Sequence, residues 1–175
     1  PVIRQQVAGF LEHARNRGAI LYYDVNFRAS HEHEKIKLMS NIMENMEYAD
    51  IVRGSSEDFA ILYNKTDAEA IYKSQISFYT KKFIYTSGSA PVILTVSTIG
   101  AGDNFNAGVI FGLLKHGITR EHIDNGLTEE QWDGIIGCAM RFSANVCKSI
   151  NNYVDNEFAN AMQREMSDFI EENNK

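Results

Sequence analysis

Apolar side chains recur along this chain with a helical period in some stretches and crowd into short unbroken runs in others. Val7, Phe10, Leu11 and Ala14 fall on one face of a helix, and Gly18 follows as a stop signal. Ala19 to Tyr23 is an apolar run that predicts a buried strand. Ile36, Met39, Met43 and Met46 give a second helical stripe, and Ala49 to Arg53 a second strand. Thr66-x-x-Glu69 has the spacing of a capping box and predicts a helix carrying Ile71, Ile76 and Tyr79. Lys82 to Tyr85 predicts a third strand, and Val92 to Leu94 a further one.

From Phe105 to Leu114 no polar stripe remains, so the pattern predicts a helix buried nearly all round. Gly108 and Gly112 sit one turn apart in it and predict that another element approaches its backbone closely. Thr119 and Thr128 read as helix caps, Thr128 with Gln131 as a capping box. Trp132, Ile135, Ile136, Ala139, Ser143, Val146 and Ile150 form one long stripe. Phe158, Met162, Met166 and Phe169 mark a surface helix before a polar tail. The alternation of helix and strand predicts an α/β layered fold with a mainly parallel central sheet flanked by helices.

Composition narrows the partners more than the fold. The 175 residues are 44% hydrophobic and 23% charged, which suits one globular domain with a substantial core. A net charge of −6 argues against nucleic acid or an anionic membrane as a partner. No apolar run reaches the ~20 residues of a membrane span, and no signal peptide is visible, so the expected location is cytoplasmic. Cys138 and Cys147 fall on roughly opposite faces of one predicted helix, too far apart to bridge, and read as reduced thiols.

The chemistry concentrates between Ser97 and Gly108. The turn Gly100-Ala101-Gly102 runs directly into Asp103 and the apolar helix. Small residues free the backbone there, and the first turn of a helix leaves N–H donors without intrahelical partners. The helix dipole adds partial positive charge, so the turn suits a phosphate. Asp103 would repel that phosphate. Either it takes a proton from an incoming hydroxyl while the amides hold the developing charge, or it caps the helix. Phe105 stands where a dinucleotide fingerprint needs its third glycine, and no Gly-Lys-Ser/Thr follows for a Walker loop.

The run Thr98-x-Gly100-Ala101-Gly102-Asp103-x-Phe105 resembles the C-terminal signature of the ribokinase-like (PfkB-type) carbohydrate kinases. The resemblance implies that Gly100, Ala101 and Gly102 form the anion hole and that Asp103 is the catalytic base. Ser97 stands where the family usually has Asp, in a stretch that often contributes to a monovalent-cation site. Asp24-Val25-Asn26-Phe27-Arg28 resembles the family's Asp-Pro-Asn-x-Arg motif and implies that Asn26 and Arg28 lie near the transferred phosphate or the substrate. A loop salt bridge between Asp24 and Arg28 is the plainer reading of those residues.

Glu57 matches the acid of the family's Asn-x-x-Glu, with Gly54 in place of the Asn. It is thereby implied in organising Mg2+ and phosphates through water. The alternative is that Ser55 or Ser56 caps a helix with Glu57 and Asp58 in its first turn. Thr86-Ser87-Gly88 resembles the family's Thr-x-Gly beside the nucleotide, against an ordinary strand–turn boundary. In the family the long C-terminal helix and its loop border the adenine, which makes Asn145, Asn151 and Asn152 polar candidates. His31-Glu32-His33-Glu34 matches no strong zinc spacing and reads as a solvated loop.

Eleven residues separate Gly88 from Gly100, where the family normally fits two strands and a hairpin. Either this protein lacks the hairpin, or a segment near 95–96 is missing from the sequence. The resemblance covers nearly the whole chain but only the C-terminal part of a typical member, without the N-terminal strands and lid, so further residues are expected before Pro1. It implies an ATP-dependent kinase acting on a hydroxyl of a sugar or sugar acid. ATP and Mg2+ are the cofactors and a monovalent cation a further one. A small-molecule carbohydrate is the partner, and a homodimer is an assembly it allows. The alternative function is a non-catalytic relative that holds nucleotide or sugar.

Overall fold

Three short strands lie side by side in the order β1 (Tyr22–Asp24), β2 (Ile51–Ser55), β3 (Phe83–Thr86), and both pairings are parallel. Register sets Asp24 opposite Arg53 and Ser55 opposite Thr86, so the C-terminal ends of all three strands fall on one edge. The computed structural model describes residues 2–88 and 99–173. Its backbone contacts group into two compact units, Pro1–Ala90 and Pro91–Lys175. The strand expected at 92–94 and the junction at 95–96 lie outside the described residues.

In the first unit the sheet is flanked by helices α1 (Val2–Asn16), α2 (Lys35–Tyr48), α3 (Ser56–Tyr63) and the short α4 (Ala68–Ile71). The core gathers Ile42 and Met46 of α2, Val52 of β2, Phe59 and Leu62 of α3, and Ile71 and Ile76. Phe59 is fully buried, with its ring edge-on to Phe83 at 5.5 Å. Burying a side chain of this kind contributes roughly 1.5–3 kcal/mol.

Three expectations shift within this unit. Ile36 is 93% exposed, because the face of α2 that meets the core runs through Leu38, Met39, Ile42 and Met46. Val7 and Phe10 of α1 are exposed, and α1 is tied to α2 by Arg4, which pairs with Glu44 at 2.8 Å. The capping box expected at Thr66 is not built. Asp67 caps α4 instead, accepting from the Ala70 N–H at 2.7 Å, and the Thr66 carbonyl accepts from the Tyr85 hydroxyl. Beyond Ile71 the helix widens into a π-turn, Tyr72–Ile76. Residues 29–34, which carry the His-Glu repeat, form an exposed 3-10 turn.

The second unit is helical: α5 (Ala101–Lys115), α6 (Arg120–Asn125), α7 (Glu129–Val146) and α8 (Asn156–Asn173). Thr119 and Thr128 cap α6 and α7 as expected, paired with His122 and Gln131. Helix α5 lies directly on α7. A Cβ at Gly108 would stand 2.5 Å from the Ala139 Cα, and one at Gly112 2.8 Å from the Ile135 Cα. The expectation of all-round burial fails. Gly108, Val109, Gly112 and Leu113 are buried, whereas Ile110 and Leu114 on the other face are at least half exposed. Phe142 bridges Phe111 at 5.4 Å and Phe158 at 5.1 Å, linking the three long helices. Cys138 is buried, Cys147 lies at the end of α7, and both are free thiols.

Glu165 of α8 clamps this bundle, taking Lys115 of α5 at 2.5 Å and Arg141 of α7 at 2.6 Å. The Arg141 hydrogen bond, followed by that of Lys115, holds its carboxyl down to about 2. A depressed carboxyl contributes stability above its unfolded pKa, ~4.3, and loses it as pH falls through the folded value.

Two predictions follow from this packing. Gly108→Ala should destabilise by about 1–3 kcal/mol from overpacking, despite a helix-propensity gain of roughly 1 kcal/mol. Gly137→Ala, whose Cβ would meet nothing within 4 Å, should keep that gain and stabilise. Urea denaturation of both variants checks the pair. Glu165→Gln should cost about 1 kcal/mol above pH ~5, a figure discounted for partial exposure. The difference from wild type should vanish as pH falls from ~4.3 towards ~2, and denaturation midpoints across that range measure it.

Candidate functional site

Past the end of β1, buried and exposed positions alternate. Val25 and Phe27 point into the core, and Asn26 and Arg28 are exposed. Asn26 has φ +40°, a left-handed conformation that Asn tolerates better than most residues. The turn is held by a residue from α3. Asp58 Oδ1 accepts from the Phe27 N–H at 2.7 Å, and its Oδ2 accepts from the Ser55 N–H at 2.6 Å and the Ser55 hydroxyl at 2.7 Å. Ser55 Oγ in turn accepts from the Asp58 N–H at 3.2 Å, closing a capping box.

Asp58 is buried, Glu57 is exposed, and both stand in the first turn of α3. Asp58 is not among the site residues that the resemblance implies. The signal for it was Ser55-x-x-Asp58, which has the same spacing as the Asn-x-x-Glu pattern matched at Gly54 and Glu57. Gly54 has its own steric reason: a Cβ there would stand 2.5 Å from the Phe59 ring.

At the strand ends Arg53 is 8% exposed. Its Nη1 donates to Asp24 Oδ1 and Oδ2 at 3.0 and 3.2 Å, and its Nη2 donates to Thr86 Oγ1 at 2.8 Å. Asp24 is therefore paired with Arg53 rather than with Arg28, because the parallel register sets the two residues opposite each other. The cluster spans β1, β2 and β3. Beyond β3, Gly88 is exposed, and a Cβ there would meet nothing within 4 Å. Asn26, Arg28, Glu57, Thr86 and Gly88 thus share one edge of the sheet.

In the second unit, Gly100 begins α5 with φ +80°, and a Cβ on it would stand 2.9 Å from both the Cβ and the carbonyl O of Asn152. Only glycine meets both demands. Asn104 Nδ2 fastens the turn, donating to the Gly100 carbonyl at 2.9 Å and the Asn152 carbonyl at 3.0 Å. The N-cap residue Gly100 has no side chain with which to cap α5. The N–H groups of Ala101, Gly102 and Asp103 belong to the first turn and have no intrahelical acceptor. Asp103 is exposed at the third position of that turn.

Asn145 and Asn151 differ sharply. Asn145 is buried, its Nδ2 donating to Asp155 Oδ2 at 2.8 Å and its Oδ1 accepting from the Asp155 N–H at 3.0 Å. Asp155 caps α8 through the Phe158 N–H, which, ahead of the Asn145 amide, holds its carboxyl below the usual range. Asn145 thus braces the α7–α8 loop. Asn151 is exposed on that loop, next to the Asn152 that covers Gly100. Ser97 and Thr98 lie outside the described residues, and among those described no cluster of His, Cys, Asp or Glu is arranged to hold a metal.

No family model matches the sequence, and no curated protein matches it. Solved structures do. A fructokinase with bound ATP from Xylella fastidiosa aligns over 99% of this chain and 58% of its own, with 19% identity and a TM-score of 0.69. A second fructokinase structure from that organism aligns over 99% and 55%, with 21% identity and a TM-score of 0.61. A 2-dehydro-3-deoxygluconokinase from Thermotoga maritima aligns over 88% and 52%, with 18% identity and a TM-score of 0.58. The chain spans a little over half the length of each. At such identities the shared property is the backbone, and this chain has the α/β fold of PfkB-type carbohydrate kinases over about half of their length.

Proposed function

We propose that this chain carries the catalytic and nucleotide-holding part, over 1–175, of an ATP-dependent carbohydrate kinase. The observation that supports the reading most is the start of α5: a left-handed glycine at the N-cap with no side chain to cover the first-turn amides, and an exposed acid at the third position of that turn. Uncapped amides at the positive end of a helix dipole suit a phosphoryl group. Asp103 would remove the proton of a sugar hydroxyl as that oxygen bonds to the γ-phosphorus and the bond to the ADP oxygen breaks. The amides at Gly100–Gly102 would hold the charge on the transferred group.

Hydroxyl, amide and backbone N–H donors of the kinds named by the resemblance suit the phosphates of ATP. On the resemblance, Thr86 and Gly88 of the first unit would contact the polyphosphate, Asn145 and Asn151 of the second unit would contact the nucleotide, and Asn26 and Arg28 of the first would contact the transferred phosphate or the substrate. Glu57, exposed at the start of α3, would hold Mg2+ through water, and the metal would neutralise phosphate charge. The acceptor class is a sugar or a sugar acid, in keeping with the fructokinases and the 2-dehydro-3-deoxygluconokinase that share the fold.

Asp103→Asn in the native protein separates the two roles open to this acid. Because α5 has no side-chain cap to lose, melting should stay within a few degrees of wild type and ATP should still bind. Turnover should fall by at least ~100-fold, the lower end of general-base contributions. ADP release with fructose and 2-keto-3-deoxy acids as acceptors, followed alongside calorimetry with ATP, measures both. Unchanged turnover sinks the base assignment. Binding of ATP without turnover in wild type would favour the non-catalytic relative.

A further inference from the structure

We infer that Arg53 is a positioning residue whose guanidinium, anchored on Asp24, fixes the Thr86 hydroxyl as a hydrogen-bond donor to a phosphate oxygen. The phosphate target rests on the nucleotide reading above; the orientation of the hydroxyl rests on geometry alone.

A threonine hydroxyl has one proton and two acceptor lone pairs, and a guanidinium has donors only. At 2.8 Å from Arg53 Nη2, Thr86 Oγ1 can only accept. Among the described residues this is the one hydrogen bond of that hydroxyl, so its proton is directed away from Arg53. The fork geometry of arginine does the rest. Nη1 is held by both oxygens of Asp24 on β1, which fixes the plane of the group and so the approach of Nη2 to Thr86 on β3. Asp24 also balances the charge of Arg53, so the cluster offers an oriented dipole at the strand ends rather than a bare cation. Arg53 is too buried to reach a ligand itself. It acts through Thr86.

Lysine would be a poor substitute, because one ammonium cannot hold Asp24 and present a second, fixed donor to Thr86. Calorimetry on the native protein, with ATP and with adenosine as a phosphate-free control, tests the inference. Thr86→Val should weaken ATP roughly tenfold or more, the range of a hydrogen bond to a charged group. Adenosine affinity should stay unchanged, and Thr86→Ser should restore ATP binding. Arg53→Lys should weaken ATP to a similar degree, and the double variant should be no worse than either single one.

Equal losses for ATP and adenosine, full ATP affinity in Thr86→Val, or additive effects in the double variant would each overturn the inference. Should Arg53→Lys fail to fold, the Val and Ser variants of Thr86 still decide whether its hydroxyl donates to phosphate. A wild-type protein that binds neither ligand refutes the nucleotide reading and, with it, the phosphate target. In that event, non-additive unfolding energies for Arg53→Lys and Thr86→Val would still support the orienting bond, and additive ones would exclude it.

Discussion

Helix α5 lies so close to α7 that no side chain fits between them at two points. Gly108 and Gly112 meet the backbone of Ala139 and Ile135 at distances no Cβ could occupy. The second unit depends on this contact. It sets the height and rotation of α5 relative to α7, and so the place where α5 begins relative to the loop that leaves α7. That loop returns over the start of α5, with Asn152 against Gly100 and Asn104 bonded to both backbones. Interiors packed at crystal-like density transmit such constraints, since a small shift at one contact has nowhere to dissipate. The Glu165 clamp and the Phe111–Phe142–Phe158 row add a third helix to the same frame.

The first unit solves a different problem. A parallel sheet of three short strands must end its strands somewhere, and the turns that follow carry backbone groups needing partners. Two buried ionic side chains stand at these ends, and one of them, Asp58, supplies such partners. Arg53 spans the strand ends, and Asp58 takes two backbone N–H groups from different turns. Charges in such places are costly unless fully paired, and here each lies within a dense set of polar contacts. The result is that Asn26 can hold a left-handed conformation while Val25 and Phe27 stay buried on either side.

Much of this was legible in sequence because it is local. Caps at Thr119 and Thr128, the three strands and the paired glycines of α5 all follow from spacing within a few residues. What was missed is contact across the chain. Arg53 lies 29 residues from Asp24, and Asp58 31 residues from Phe27, in sequence. Only the strand register brings them together, so the nearer Arg28 looked like the partner of Asp24. Asp67 caps α4 where Thr66 was expected to, and the Thr66 carbonyl is engaged by a tyrosine from β3, a partner distant in sequence. The apolar run of α5 concealed its orientation, since with no polar stripe the pattern cannot say which face is buried. There the glycines marked it, because a close-packed face needs small residues.

The way the helices begin bears on function. Ser55, Asp67, Thr119, Thr128 and Asp155 cap α3, α4, α6, α7 and α8, each with a side-chain oxygen accepting from a first-turn N–H. A cap of that kind is worth about 1 kcal/mol. Helix α2 continues from the 3-10 turn before it and has no such cap; the N-cap of α5 has none either, but this helix starts from a glycine in a conformation most residues avoid, with Asn104 engaged in the turn's carbonyls rather than its amides. A side-chain oxygen at Gly100 would fill the space in front of the first-turn N–H groups, and Asn152 already prohibits it sterically. Local stability is therefore given up where the proposed anion cradle needs open donors, and Asp103 is left with its carboxylate exposed beside them. Departures from local rules of this kind concentrate at functional positions. Here the departure coincides with the residues that resemble a kinase signature in sequence.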